Sequence, residues 1–318
     1  MTTGALVGID IGGGGIRTRV QAGCRIAEHR HDGAVPRAGG RVDGALLCDR
    51  ILSDLALVLT EVGSRRVSSL GIGMTGIPGL VDDPSVFDKR LRGPLGLGCL
   101  TVASDAVTTH LGALNGQDGA VVAAGTGVVT FGTDHRTIFH QVDGWGYALG
   151  DEGSGAWIGR AGLEAALRAA DGRMGGSRVL YQLMSEQFGT PLDLLAAVYP
   201  SSSPGHVLAS FAPAVERAAR AGDSIAEAIW REAGTALGRA AVAALEGLSP
   251  RVSWGGNLFR AGELLMAPFR EELLRLVPSA QLRAPVGSGL GGALLLARRA
   301  AKGEVVANPL HMHVFGQG

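Results

Sequence analysis

The sequence predicts an α/β protein made of two similar lobes facing a cleft. Two observations carry that reading. A strand running into a glycine hairpin occurs near residue 6 and again near residue 120, and a largely helical stretch begins at about residue 155. The composition agrees, since 318 residues with 46% hydrophobic and 18% charged side chains can fill two cores and exclude a disordered chain.

The elements follow in order. Leu6-Val7-Gly8-Ile9-Asp10-Ile11 is an apolar run holding one acid. Gly12, Gly13, Gly14 and Gly15 come next, then the alternating Arg17-Thr18-Arg19-Val20, which together read as a β-hairpin. Leu46, Ile51, Leu55, Leu59 and Val62 recur at helical spacing, which predicts a helix over 41–63. Strands are expected at 69–74 and 100–103, and a short helix at 106–114. The second hairpin, 120–131, turns at Gly125-Thr126-Gly127. Helices are expected at 155–170, 177–188, 191–198, 205–221, 223–246, 258–276 and 289–301, with strands at 252–254 and 281–283. The first lobe should comprise 1–113 with 298–318 returning to it, and the second 114–297.

Charge narrows the partners. Lys plus Arg and Asp plus Glu both total 29, so no basic excess favours nucleic acid or an anionic membrane. Mean hydropathy is +0.22, yet no apolar run approaches the roughly 18 residues of a membrane span. The first residues show no positive n-region, which predicts a cytoplasmic protein. Cys24, Cys48 and Cys99 fit neither a disulfide framework nor a zinc site. His29/His31 and His311/His313 alternate as on strands, but two histidines without a third ligand read as exposed polar residues.

Glycine placement identifies the phosphate device. Neither Lys89 nor Lys302 lies in a Walker context. The dinucleotide spacing occurs at Gly71/Gly73/Gly76 and Gly287/Gly289/Gly292, without the acidic residue of a proper βαβ unit, and 51 glycines make such matches expected by chance. The remaining device is a pair of hairpins, Gly12 to Gly15 and Gly125-Thr126-Gly127, whose backbone N–H groups face phosphate oxygens. Asp10 would then hold Mg²⁺ through water. Two ordinary tight turns and a buried structural acid are the plainer alternative.

Those elements, together with Gly255-Gly256-Asn257, resemble the phosphate and adenosine segments of the actin/hexokinase/Hsp70 superfamily. The run from Gly144-Trp145-Gly146 through Gly150-Asp151-Glu152-Gly153-Ser154 is similar to the BadF/BadG/BcrA/BcrD ATPase family, which includes N-acetylglucosamine kinases and actinobacterial glucosamine kinases. The resemblance spans roughly 5–300. It implies a two-lobed ribonuclease-H-like fold with an interlobe cleft, ATP and Mg²⁺ as cofactors, and an amino sugar as substrate. A homodimer stays open. It places Asp105 as catalytic base, Asp151 on the sugar hydroxyls with Glu152 beside it, and Thr75 and Gly76 in a sugar-facing turn. Thr126 lies between phosphate and sugar, and Gly255, Gly256 and Asn257 near the adenosine. Trp145 is a candidate for stacking on the sugar or for the core. By residue type alone, Asp105 reads equally as an N-cap of the helix that follows it.

The departures are specific. Gly14 and Gly15 stand where the first hairpin usually has a Thr or Ser, and Val128 replaces a serine in the second. The loop 34–38 lacks the Asn of N-acetylglucosamine kinases. With Asp151 and Glu152 paired, this favours ATP-dependent phosphorylation of glucosamine at its 6-hydroxyl, with N-acetylglucosamine as the alternative sugar. An ATPase activator of a reductase or dehydratase would need clustered cysteines for an iron–sulfur centre. A sugar-sensing repressor would need a helix-turn-helix before Gly4.

Overall fold

The computed structural model describes residues 4–12, 14–77, 79, 81 and 83–316. They fall into two compact units, Met1–Asp118 with Thr133–Phe139 and Ala284–Gly318, and Gly119–Gly132 with His140–Arg283. The C-terminal segment of the first unit is thus longer than 298–318. Among the described residues no helix is long and apolar enough to cross a membrane.

The first unit opens with the antiparallel meander β1 (Ala5–Gly12), β2 (Gly15–Ala22) and β3 (Arg25–Asp32). A small ribbon, β4 (Arg37–Ala38) and β5 (Arg41–Val42), leads into α1 (Gly44–Val62). Asp43 caps α1 by accepting from the Leu46 amide at 3.0 Å, and Gly63 ends it at φ 70°. Leu47, Ile51, Leu55 and Val58 form the helix's buried stripe, each side chain contributing about 1.5–3 kcal/mol on burial. Then come β6 (Val67–Met74), α2 (Ser85–Leu95), β7 (Cys99–Ser104) and α3 (Asp105–Ala113). The sequence reading missed α2, because charged residues and Pro94 obscure the buried spacing Phe87, Leu91, Leu95.

The second unit repeats the scheme with β8 (Gly119–Ala124), β9 (Val128–Thr133) and β10 (Phe139–Val142). Helices α4 (Gly155–Asp171), α5 (Arg178–Phe188) and α6 (Pro191–Val198) follow. The single helix expected over 205–221 is two, α7 (Pro204–Ala209) and α8 (Ala212–Arg220). Pro213 starts the second, since its ring and missing N–H cannot continue the turn before it. After α9 (Ser224–Ala244) and β11 (Arg251–Gly255), the helix expected over 258–276 is also divided. A 3₁₀ turn, Asn257–Ala261, stops at Gly262 (φ 66°) before α10 (Glu263–Leu276). β12 (Gln281–Leu282) closes this unit, and α11 (Gly289–Ala300) and β13 (Met312–Phe315) belong to the first.

The two sheets run β13-β7-β6-β1-β2-β3 and β10-β9-β8-β11-β12. Apart from β13, each has the next two strands in sequence on one side of its first strand and two later strands on the other. That shared order is the duplication expected from the two hairpins. β1, β6 and β7 are parallel, so their carboxyl ends lie along one edge. Helix α11 packs against α3, β1 and β6 through glycines. A Cβ on Gly292 would collide with the Thr108 carbonyl, and one on Gly8 with the Leu294 backbone. Gly292 therefore allows close packing of α11 on α3, a structural reason for that glycine which requires no dinucleotide.

Candidate active site

In the first unit the parallel strands deliver three sequence-predicted residues to one place. Asp10 lies near the end of β1, Thr75 directly after β6, and Asp105 directly after β7. Cross-strand register pairs Asp10 with Gly73 and Met74 with Ser104, so the three strand ends are level. The Thr75 amide donates to the Ile11 carbonyl at 3.0 Å, and its side chain hydrogen-bonds the Asp105 carboxylate. Gly76 continues this turn at φ 91°. Parallel sheets place reacting groups at such carboxyl ends.

Asp105 is the first residue of α3. The cap position is Ser104, whose side chain makes no capping bond. The Ala106 amide, its own amide and Thr75 all favour the charged carboxylate, as does the helix N-terminus. Burial and the nearby Asp10 charge outweigh them and push Asp105 up to about 6. A carboxylate so raised is poised to accept a proton near neutral pH.

Asp10 is partly buried, and burial raises it more than Arg17 lowers it, with Arg17 Nη1 at 3.4 Å from Oδ2. Two acids so close invite a divalent cation. Gly289 keeps this corner open, because a Cβ there would sit 3.3 Å from Asp10 Oδ1. Cβ atoms on Gly12 and Gly14 would enter open space, while one on Gly15 (φ 135°) would strike the His31 carbonyl. Gly13 lies outside the described residues.

In the second unit the turn at Gly125-Thr126-Gly127 rests on the start of α4. Gly155 and Ala156 amides donate to the Gly125 and Thr126 carbonyls at 2.8 and 2.9 Å. Ser154 caps the same helix, accepting from the Trp157 amide at 3.2 Å. In a planar trans peptide the N–H opposes the C=O, so the Thr126 and Gly127 amides point away from α4. Successive outward amides form a cradle for an anion.

A cavity of about 280 Å³ begins at this turn and is lined by Gly125, Thr126, Pro213, Trp230, Asn257 and Arg260. Its size suits a nucleoside. Trp230 is buried with no partner for its indole N–H. Gly255 ends β11, and Gly256 (φ 93°) presses on the Ala124 backbone, which brings Asn257 to the cavity. Pro213, Trp230 and Arg260 escaped the sequence reading because they come from α8, α9 and the 3₁₀ turn, with no local motif.

Asp151 lies against the same turn. A Cβ on Gly127 would be 2.6 Å from its Oδ2, so a side chain there would displace the carboxylate. Asp151 is buried, and its carboxylate accepts from the Gly146 amide at 3.2 Å and from the Val128 amide. Burial chiefly, with help from Asp143, still raises it. Glu152 turns elsewhere. It is exposed and lines a different hollow with Trp157, Arg231 and Arg239. Trp145 is 67% exposed, which leaves its ring face accessible.

Similarities to known proteins fit this architecture. The chain is 26% identical over 260 residues to an N-acetylmuramic acid/N-acetylglucosamine kinase of Clostridium acetobutylicum, covering 78% of this chain and 84% of that one. A candidate N-acetylglucosamine kinase from Chromobacterium violaceum superposes with a TM-score of 0.69 at 28% identity, covering 93% of this chain and all (100%) of that one. A ROK family glucokinase from Streptomyces griseus shares the fold with a TM-score of 0.60 at 22% identity, over 93% and 100% of the two chains. The fold is that of the actin/hexokinase/Hsp70 superfamily. The match over residues 7–297 makes the chain a member of the BadF/BadG/BcrA/BcrD ATPase family.

Proposed function

We propose that this protein is an ATP-dependent sugar kinase that phosphorylates the 6-hydroxyl of N-acetylglucosamine. The observation that carries the kinase reading is Asp105, held by Thr75 at the carboxyl edge of the sheet and raised to about 6. Such a carboxylate orients an alcohol and accepts its proton as the oxygen attacks the γ-phosphorus and the bond to ADP breaks. No covalent enzyme intermediate is required.

The second unit supplies the nucleotide half of the reading. Asn257, Trp230 and Arg260 would enclose the adenosine, and the Thr126 and Gly127 amides would face phosphate oxygens. Asp10 would hold Mg²⁺ through water, and that ion supplies charge neutralisation on the phosphates. Gly12, Gly14 and Gly15 would leave room for the phosphates. Asp151 and the face of Trp145 would meet the sugar, with Gly76 shaping the turn beside Thr75.

The choice of sugar rests on a change of weight. The free-amine reading needed Asp151 and Glu152 as a pair, but Glu152 lines another hollow and Asp151 already accepts two backbone amides. Two of the three similar kinases described above carry N-acetylglucosamine in their names, and the third is a glucokinase. Competition between N-acetylglucosamine, glucosamine and glucose at equal concentration, read as sugar phosphate formed, tests the assignment. N-acetylglucosamine should lead by about 10²-fold in kcat/KM, as a site built for a polar group rejects analogues lacking it. Preference for glucosamine would overturn the sugar and keep the kinase, whereas ADP release with no sugar dependence would overturn both.

A further inference from the structure

We infer that His29, His31 and Asp54 form a binding site for a divalent transition metal ion, separate from Asp10. Among the described residues this is the set of three metal-ligating side chains whose ligand atoms converge, all within 4.8 Å of one another. The histidines are two residues apart on β3 and share one face of that edge strand. Asp54 interrupts the apolar stripe of α1, which packs on β3.

The geometry fits a metal site as well as the hydrogen bond that His31 makes to Asp54. His31 Nδ1 and His29 Nε2 both approach the same oxygen, Asp54 Oδ1, at 3.3 and 3.5 Å. Charge-assisted hydrogen bonds are shorter, about 2.7–2.9 Å. Ligands of a tetrahedral ion at about 2.0–2.1 Å stand roughly 3.3–3.4 Å from one another, close to the two separations from Asp54, and the two imidazole nitrogens lie within 4.8 Å of each other. The carboxylate side chain is 6% exposed, and its second oxygen, Oδ2, is buried with no hydrogen-bond partner. A buried carboxylate left this incomplete is costly unless a cation completes it.

Two imidazoles and one carboxylate are borderline ligands that suit Zn²⁺, Co²⁺ or Ni²⁺ better than Mg²⁺. The imidazoles are 33% and 37% exposed, so an ion enters from solvent and keeps water in its fourth position. The bound ion ties edge strand β3 to α1.

The probe is Zn²⁺ added to the tag-free, chelator-stripped full chain, followed by calorimetry, metal analysis and thermal unfolding. The wild type should bind one equivalent and gain several degrees in midpoint. The double variant H29Q/H31Q should lose that equivalent and the thermal gain. Asp54→Asn, which keeps the shape, should weaken binding at least as much as losing a partner outside the metal's own ligands, about 10–100-fold. A wild type that takes up no Zn²⁺, or an H29Q/H31Q chain that keeps the wild-type equivalent, overturns the site. None of these readouts depends on kinase activity.

Discussion

Asp143 holds Asp151 from behind. Its Oδ1 accepts the Asp151 amide and its Oδ2 the Glu152 amide, each at 2.8 Å. Both aspartates lie in the left-handed region, at φ 59° and 55°. Such backbone persists in non-glycine residues only where neighbours over-determine it. Asp143 thus joins the Gly146 amide in holding Asp151 in its position against Gly127. Asp143→Ala should release the loop and lower kcat/KM for the sugar by at least about tenfold, while ATP binding stays within a few-fold. Sugar KM and nucleotide affinity measured side by side would distinguish this from general unfolding, which would harm both.

Asp105→Asn separates catalysis from stability. Turnover should fall by about 10² or more with the loss of the proton acceptor. The folded chain should become more stable, because a carboxyl raised to about 6 binds its proton more tightly folded than unfolded. Ionising it costs up to about 3 kcal/mol, reached as pH rises from about 4 to about 6. The variant's advantage in thermal unfolding should be full at pH 7–8 and absent below about pH 4. A variant that loses both activity and stability would mark Asp105 as structural.

As the proposed base, the same carboxyl should set the acid side of the rate profile. It must be ionised to accept a proton, so kcat/KM should fall tenfold per pH unit below about 6. The Asp10 charge contributes to the raised value, and Asp10→Asn should move this limb to lower pH as well as reducing the rate. Rates from pH 5 to 9 for the two chains would show the displacement.

Gly127→Ala tests the contact with Asp151. The added methyl would overlap Oδ2, displacing the carboxylate or the turn. Combining it with Asp151→Ala removes the clash, so the two substitutions should couple by about 1 kcal/mol or more in unfolding free energy. Additive effects would mean that turn and carboxylate do not constrain each other.

The sequence by itself determined what is local. The acid followed by glycines after β1, the glycine turn after β8 and the helical spacing of α1 are contiguous patterns, and each folds as read. The recurring hairpins were enough for the duplicated α/β plan, and the contiguous run 144–154 for the family. Proline and glycine punctuation also worked locally, although Pro213 and Gly262 divide helices that apolar periodicity had joined.

Only the tertiary structure decided which side chains meet. Asp151 and Glu152 are adjacent in sequence, yet one is buried against Gly127 and the other lines another hollow, because the positive φ of Asp151 turns the chain between them. Asp143 carries no sign of its role, since two left-handed aspartates look like ordinary loop residues. His29 and His31 read as a surface pair until α1 lays Asp54 beside them, a partner 23 residues along the chain. The raised proton affinity of Asp105 depends on burial and on Asp10, and both arise when β1 and β7 align across β6. Side-chain chemistry is written in the sequence, but its electrostatic environment exists only once distant strands are packed together.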